Sequence, residues 1–311
     1  MTTSRSKKAK PTSLTPGASR HAKRHLVSVA RAAEVADAHG NKLAQLLDIQ
    51  VNGSSSGGRC SWTLATLDDT DREKRAAVAW VIANNIIRAR CGRAKAYGLW
   101  RAAALAETPL TGRDRAIAMP FLDVYGDPAS PPSTTDHLEG HVNEWLWYLL
   151  TGELATRNVA VIEPPSFQVT APGGDGFVIY RRPDTVLMFR LWELKKHVGS
   201  RVAATINLAY TQLAARATKY LAQLTPTMAV QDQDIRDLYG QLVELWVDAD
   251  ERAGAGVGVS AVEATPRPPF RKMGSKFPEF TSAGQLEGLF CAIADYRGLA
   301  SEVRRMVWSA L

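Results

Sequence analysis

The stretch GGDGFVIYRRPDTVLMFRLWELKK, residues 173–196, contains two β-rich runs, Phe177–Arg181 and Thr185–Glu193. Between them Arg182-Pro183-Asp184 is turn chemistry, because proline presets φ and aspartate bonds to its own backbone. The pair predicts an antiparallel hairpin. Its second strand ends in Trp192-Glu193-Leu194-Lys195-Lys196. Side chains alternate along a strand, so Glu193 and Lys195 project from one face. A carboxylate beside an ammonium at a strand end suits hydrolysis assisted by a divalent metal. The carboxylate ligates the ion, and the lysine orients or helps deprotonate water and offsets phosphate charge.

Such a site needs a second acid, and hairpin geometry separates two candidates. Asp184 sits in the turn, nine residues from Glu193, and ~3.3 Å per residue puts it roughly 30 Å away. Asp175 begins the partner strand, in Gly173-Gly174-Asp175-Gly176. Folding the hairpin about residues 182–184 sets it opposite residues 191–193, across the ladder. Asp175 is the expected ligand.

With that pairing the residues resemble the PD-(D/E)XK nuclease superfamily: a helix bearing an acid, Asp175 on a hairpin, then Glu193-Leu194-Lys195. The resemblance covers about residues 135–262. It implies a restriction-endonuclease-like core, DNA as substrate and Mg²⁺ (or Mn²⁺) as cofactor. It further implies that Asp175, Glu193 and the Leu194 carbonyl hold the metal while Lys195 positions the attacking water. The superfamily usually adds a glutamate from the helix before the hairpin, and Glu139 and Glu144 both qualify. Leu138, Val142, Trp145, Leu146 and Leu149 define the packed face of that helix. Glu139 lies near the edge of this face and Glu144 well round the other side. Yet Glu144 directly precedes the apolar run Trp145–Leu150, where the superfamily's acid commonly stands, so both stay open. The helix after the lysine commonly turns polar side chains toward the site. Here Gln212, Arg216 and Lys219 fall at i, i+4 and i+7 on one face, as contacts to a phosphate backbone that is bound through charge. Lys196, His197 and Arg201 extend that surface.

Outward from this core the chain reads as helical. A helical pattern spans about His25–Ile49, and Asn52–Gly58 (NGSSSGG) is a loop without the lysine of a phosphate-binding motif. Asp68, Asp69 and Asp71 open a helix that runs to Arg90, closed by Gly92. Another spans about Arg93–Ala106, and residues 107–134, rich in proline, form a connector. Asp136 starts a helix through Leu150. Short strands follow at Val159–Glu163 and Phe167–Thr170. After the hairpin come helices at about Ala204–Leu224 and Asp232–Val247, then a strand at Gly256–Val262. From Gln285 on, two helices are expected. The fold class is α/β (α+β), with a central mixed sheet between N- and C-terminal helical layers. The divisions are a basic tail, 1–24; a helical N-terminal region, 25–130; the nuclease-like core, 131–265; and a C-terminal helical extension, 266–311.

The charge is uneven. The chain has 38 basic and 31 acidic residues, a net +7. Residues 1–24 hold seven basic residues and no acid, so the remainder is balanced. The tail has little to bury and is expected to be disordered. Its deletion should therefore separate nonspecific attraction to DNA from catalysis. The longest apolar run, Ala76–Ile87, is broken by Asn84 and Asn85, so no membrane span or membrane partner is expected. No hydrophobic leader is visible, which with three scattered cysteines suggests a reduced cytoplasm. His137 and His141 stand four apart, but Glu139 occupies the third position of H-L-E-G-H, whereas the zinc-protease pattern needs it at the second.

These readings converge on a Mg²⁺-dependent DNA endonuclease. The order of elements resembles the nuclease subunits of Hachiman-type anti-phage defence systems, which implies a helicase partner. A stand-alone restriction endonuclease fits the same residues, and a noncatalytic DNA-binding or assembly subunit on this fold is the rival from another class. The sequence leaves oligomeric state open.

Overall fold

The computed structural model describes residues 26–55, 60–68, 70–126, 135–155, 158–166, 175–197, 199, 201–225, 232–262 and 268–311. The basic tail and the expected strand Phe167–Thr170 lie outside them. Two short helices, α1 (Val29–Ala38) and α2 (Leu43–Leu46), lead into a hairpin of β1 (Asp48–Ser55) and β2 (Cys60–Leu67). Helices α3 (Arg72–Cys91), α4 (Lys95–Leu105), α5 (Gly112–Leu122) and α6 (Asp136–Leu154) follow. Next come β3 (Asn158–Ile162), β4 (Gly176–Arg181), β5 (Leu187–His197), α7 (Val202–Leu224), α8 (Gln233–Val247) and β6 (Ala255–Ala261). The described chain closes with α9 (Met273–Lys276), β7 (Leu286–Ile293) and α10 (Tyr296–Trp308).

All seven strands form one mixed sheet, in the order β1-β2-β7-β6-β5-β4-β3. Strands β5, β6, β7 and β2 run parallel, and an antiparallel hairpin edge closes each side. Helices α1–α6 and α10 cover one face, and α7–α9 the other. The protein is therefore mixed α/β, consistent with a nuclease-like core of helix α6, strands β3–β5, helix α7 and strand β6.

Local chemistry explains the elements that the sequence foretells. Asp71 accepts a bond from the Lys74 N–H and opens α3, while Gly92, at φ 52°, ends it. Residues Ala76–Ala83 are all buried, so α3 is a core helix with no polar face in that span. In β6 every residue is buried, as a central parallel strand requires. Gly176 and Gly256 are packing glycines. A Cβ on Gly176 would come within 2.6 Å of the Trp147 ring, and one on Gly256 would strike Trp192. The two indoles lie 5.7 Å apart between α6 and the sheet.

Two segments expected to be helical supply strands. In region 25–130, Gly40 (φ 62°) and Asn41 (φ 54°) break the expected helix into α1 and α2, β1 takes its last two residues and the first half of the loop, and β2 follows. Cys60–Leu67 (CSWTLATL) carries the β-branched and aromatic residues that fit a pleated surface. In region 266–311, Leu286–Ile293 (LEGLFCAI) is β7, flanked by β2 and β6. A short apolar run buried on both faces reads alike as helix or strand, and only its neighbours decide. The connector 107–134 contains α5, which accommodates Pro120 near its end.

Candidate active site

The hairpin register pairs Gly176 with Trp192, so Asp175, one residue earlier, falls beside Glu193. The even-numbered backbone groups of β5 face β4. Phe189 and Leu191 donate the other way, to the Arg252 and Gly254 carbonyls on the β6 side. Since β4 begins only at Gly176, the Leu194 N–H is turned to Asp175 instead, and donates to its Oδ2 at 2.7 Å. The N–H and C=O of one extended residue point to the same side, so the Leu194 carbonyl also faces Asp175.

Lys195 joins the two acids. Its Nζ donates to Glu193 Oε1 at 2.5 Å and lies 3.6 Å from Asp175 Oδ2. The Glu193 side chain is only 3% exposed. Its Oε2 is buried with no hydrogen-bond partner among the described residues. Burial raises the pKa of both Asp175 and Glu193, and for Glu193 the neighbouring Asp175 charge adds to the effect. For Lys195 burial works against the charge, but the attraction of Asp175 and Glu193 outweighs it and holds the ammonium more firmly protonated. The charge of Arg216, exposed on α7, also reaches both carboxylates.

The two helix glutamates part company here. Glu144 is half-buried within electrostatic reach of Asp175 and Lys195. Its pKa is pushed up to about 8, by burial first and then by the Asp175 charge. Glu139 is fully buried in another cluster: Oε2 accepts from Lys196 Nζ at 2.8 Å, and Oε1 accepts from Thr135 Oγ1 at 2.5 Å and Arg297 Nε at 3.1 Å. Burial would raise its pKa, yet Lys196, Thr135 and Arg297 together hold it below the usual carboxylate range.

Of the expected phosphate contacts, Arg201, Arg216 and Lys219 are exposed and Gln212 is half-buried, with its Oε1 inside. Lys196 departs from this face. Alternation along β5 turns it toward α6, where Nζ also binds Asp136 Oδ1 at 2.7 Å. His197 stays on the α7 side, with Nδ1 2.7 Å from Thr205 Oγ1. Asp184 occupies the turn at the opposite end of β5, paired with Arg182 at 2.9 Å. His141 is enclosed by aromatic partners. Its Nδ1 lies 2.9 Å from the Tyr125 hydroxyl, and Nε2 accepts from the Trp145 indole at 3.1 Å. Arg297 and Thr135 carry no local sequence signal for their role; Arg297 is distant in the chain and meets Glu139 only through the packing of α10 on α6.

A divalent cation fits this donor set. It is all oxygen, with Asp175 and the Leu194 carbonyl on the β4 side of β5 next to Glu193, and it includes the unpartnered Glu193 Oε2. Among the described residues no group of three or more His, Cys, Asp or Glu side chains is arranged to enclose an ion. Two carboxylates and a carbonyl are the oxygen donors that a hard divalent cation takes when water completes its shell. No helix among the described residues is long and apolar enough to cross a membrane. The cysteines Cys60, Cys91 and Cys291 are all buried as free thiols. No protein-family model matches the chain, and comparison with curated proteins finds no match either.

Proposed function

We propose that this protein is a metal-dependent DNA endonuclease whose site is Asp175, Glu193, Lys195 and Glu144, with the Leu194 carbonyl completing the metal ligands. The observation that carries the reading is the buried, unpartnered Glu193 Oε2 beside Asp175, with an ammonium 2.5 Å from the other oxygen of the same carboxylate. An unmet charge-bearing oxygen in a buried site is costly unless a cation or donor supplies its partner. A bound Mg²⁺ or Mn²⁺ would supply positive charge at the scissile phosphate and make nearby water more acidic.

The chain's own residues divide the remaining work. The raised pKa of Lys195 suits a group that stays charged, orienting water through an N–H of Nζ and offsetting phosphate charge, and argues against its serving as the base. Glu144, near pKa 8, holds a proton at neutral pH in the metal-free protein and can exchange it within the working range. Arg216, Lys219, Gln212 and Arg201 form the face that receives the DNA backbone. The narrower reading is a cytoplasmic nuclease of anti-phage defence acting with a helicase, and a stand-alone restriction endonuclease remains compatible.

One observation favours a second reading. Lys195 is already paired with both acids, so the cluster can neutralise itself, as a noncatalytic DNA-binding subunit would allow. Nicking of supercoiled plasmid in Mg²⁺ by wild type, Glu193→Ala and Lys195→Ala separates the two. Loss of about a hundredfold or more in either variant is expected, the scale of removing one preorganised electrostatic group. Equal cleavage by all three would overturn the site. Absence of cleavage by wild type, alone and with a helicase added, would favour the binding subunit.

A further inference from the structure

The Glu139 cluster sits one strand position beyond the site and uses the lysine next to Lys195. Glu139 has no exposed surface, and its two oxygens take bonds from β5 (Lys196), from α10 (Arg297) and from Thr135 just before α6. The Tyr296 hydroxyl, at the start of α10, donates to the Glu139 carbonyl at 2.8 Å. The first turn of α6 is thereby tied both to the end of β5 and to α10. Lys196 is 20% exposed and its ammonium spans Glu139 and Asp136, so it is spent on α6 rather than offered to solvent.

This tie has a consequence for the neighbouring residues. Lys195 and Lys196 are consecutive on β5, so fixing one fixes the backbone of the other. Glu144 follows Glu139 by five residues, a rise of ~7.5 Å and a turn of ~140° along a helix. A rigid helix anchored at Glu139 therefore carries Glu144 to one set position relative to Lys195 and Glu193. Asn143 accepts from Ser260 Oγ and ties α6 to β6. Among the described residues, without the Glu139 anchor α6 would meet β5 itself through apolar packing, which is less directional than charge-assisted hydrogen bonds.

We propose that Lys196 and Glu139 are a positioning pair for the candidate nuclease site, setting the separation between Glu144 on α6 and Lys195 on β5. This rests on the nuclease reading, and it reassigns Lys196 from DNA contact to internal clamp. Neither residue touches substrate; both act through their neighbours.

The test compares wild type, Lys196→Met, Lys196→Arg and the double variant Glu139→Leu/Lys196→Met. Plasmid nicking in Mg²⁺ gives kcat and KM, and residue-resolved amide exchange covers Leu194–His197 with β6 as internal reference. The double variant is included because apolar replacement of a buried ion pair is commonly tolerated, so it is expected to fold even where a single change is not. A clamp predicts kcat lowered by about 10–100-fold with KM within about twofold, the scale of a small misplacement of reacting groups. It also predicts faster exchange at Leu194–His197 with β6 unchanged, and recovery of most of kcat in Lys196→Arg. A raised KM, a shallower salt dependence and an unchanged kcat would make Lys196 a phosphate contact and overturn the proposal. Unchanged exchange at Leu194–His197 in a folded variant would overturn it as well. If wild type cuts nothing, the nuclease reading fails, and the exchange comparison still decides whether the clamp exists.

Discussion

Glu139 and Glu144 stand five residues apart on one helix, and their surroundings drive them in opposite directions. Glu139 is completely buried, yet its pKa is lowered; Glu144 retains some exposure, yet its pKa rises to about 8. Burial raises both; for the first, bonds from Lys196, Thr135 and Arg297 reverse it, whereas for the second burial prevails, the Asp175 charge adds to it, and Lys195 is only a divided ally. The first turn of α6 is electrically complete, and the stretch at Glu144 in mid-helix is not. Completion is what a structural tie needs, and a surplus of acid is what a cation-binding site needs.

The largest effect expected from breaking this contrast is on stability, at Glu139. Glu139→Ala leaves the Lys196 ammonium with Asp136 alone; breaking a fully buried pair costs about 3–5 kcal/mol, and with Lys196 partly exposed about 3 is expected. Glu144→Ala should cost far less, because Glu144 is largely protonated at pH 7.5 in the metal-free protein and its removal strands no partner charge. Urea unfolding at that pH measures both, and equal losses would mean that the two positions do not differ as described.

His141 lies between the two acids in the chain and sharpens the comparison through pH. Burial lowers its pKa from 6.5 to about 4, so the unfolded chain binds the extra proton between those values. Stability from this group is complete above pH 6.5 and is lost as pH falls toward 4. Between pH 7 and 5 the loss is about 2 kcal/mol, at ~1.4 kcal/mol per unit. Urea midpoints for wild type and His141→Gln across that range isolate the term. A slope that the substitution leaves unchanged would show that His141 is not the buried neutral group.

Glu144 should show the opposite sign. Its folded pKa of about 8 exceeds the ordinary 4.5, so the folded metal-free protein binds more protons between them. Its contribution is present below pH 4.5 and lost as pH rises through 8. Discounted for its partial exposure, Glu144→Gln should stabilise the metal-free protein by about 1–2 kcal/mol at pH 8.5 and scarcely at all at pH 4.5. Denaturation with EDTA at the two pH values checks this. A stabilisation that shrinks as pH rises would place Glu144 beside positive, not negative, charge.

How far these features can be read from the sequence depends on the range of the interaction behind them. The β4–β5 hairpin, its turn and the pairing of Asp175 with Glu193 follow from period-two alternation and from counting residues across one turn. The α3 boundaries follow from Asp71 and Gly92 in the same local way. Alternation also separates Lys195 from Lys196, although a basic pair invites reading as one surface. The choice between Glu139 and Glu144 could not be made so locally. A packed-face argument says which way a side chain points, but not that Arg297, from the far end of the chain, waits there. Strand β7 is hidden for a like reason: its apolar letters do not reveal β2 and β6 on either side.

The smallest structural effect, and the cleanest partition, belongs to residues 1–24. They carry seven basic residues and no acid, while the rest of the chain has as many acidic residues as basic ones. Phosphate neutralisation releases counterions, so each contact removed flattens the slope of log affinity against log salt by about 0.9. Deleting residues 1–24 should therefore weaken plasmid binding and flatten its salt dependence, while urea stability and the nicking rate at saturating DNA stay at wild-type values. Arg216 and Lys219 on α7 should behave differently, because Arg216 acts within reach of Asp175 and Glu193. Its replacement by alanine should change both binding and rate. If the tail deletion instead abolished cleavage at saturating DNA, the net charge of the chain would belong to the site itself, and the balance of the remaining residues would be no guide to where the DNA is cut.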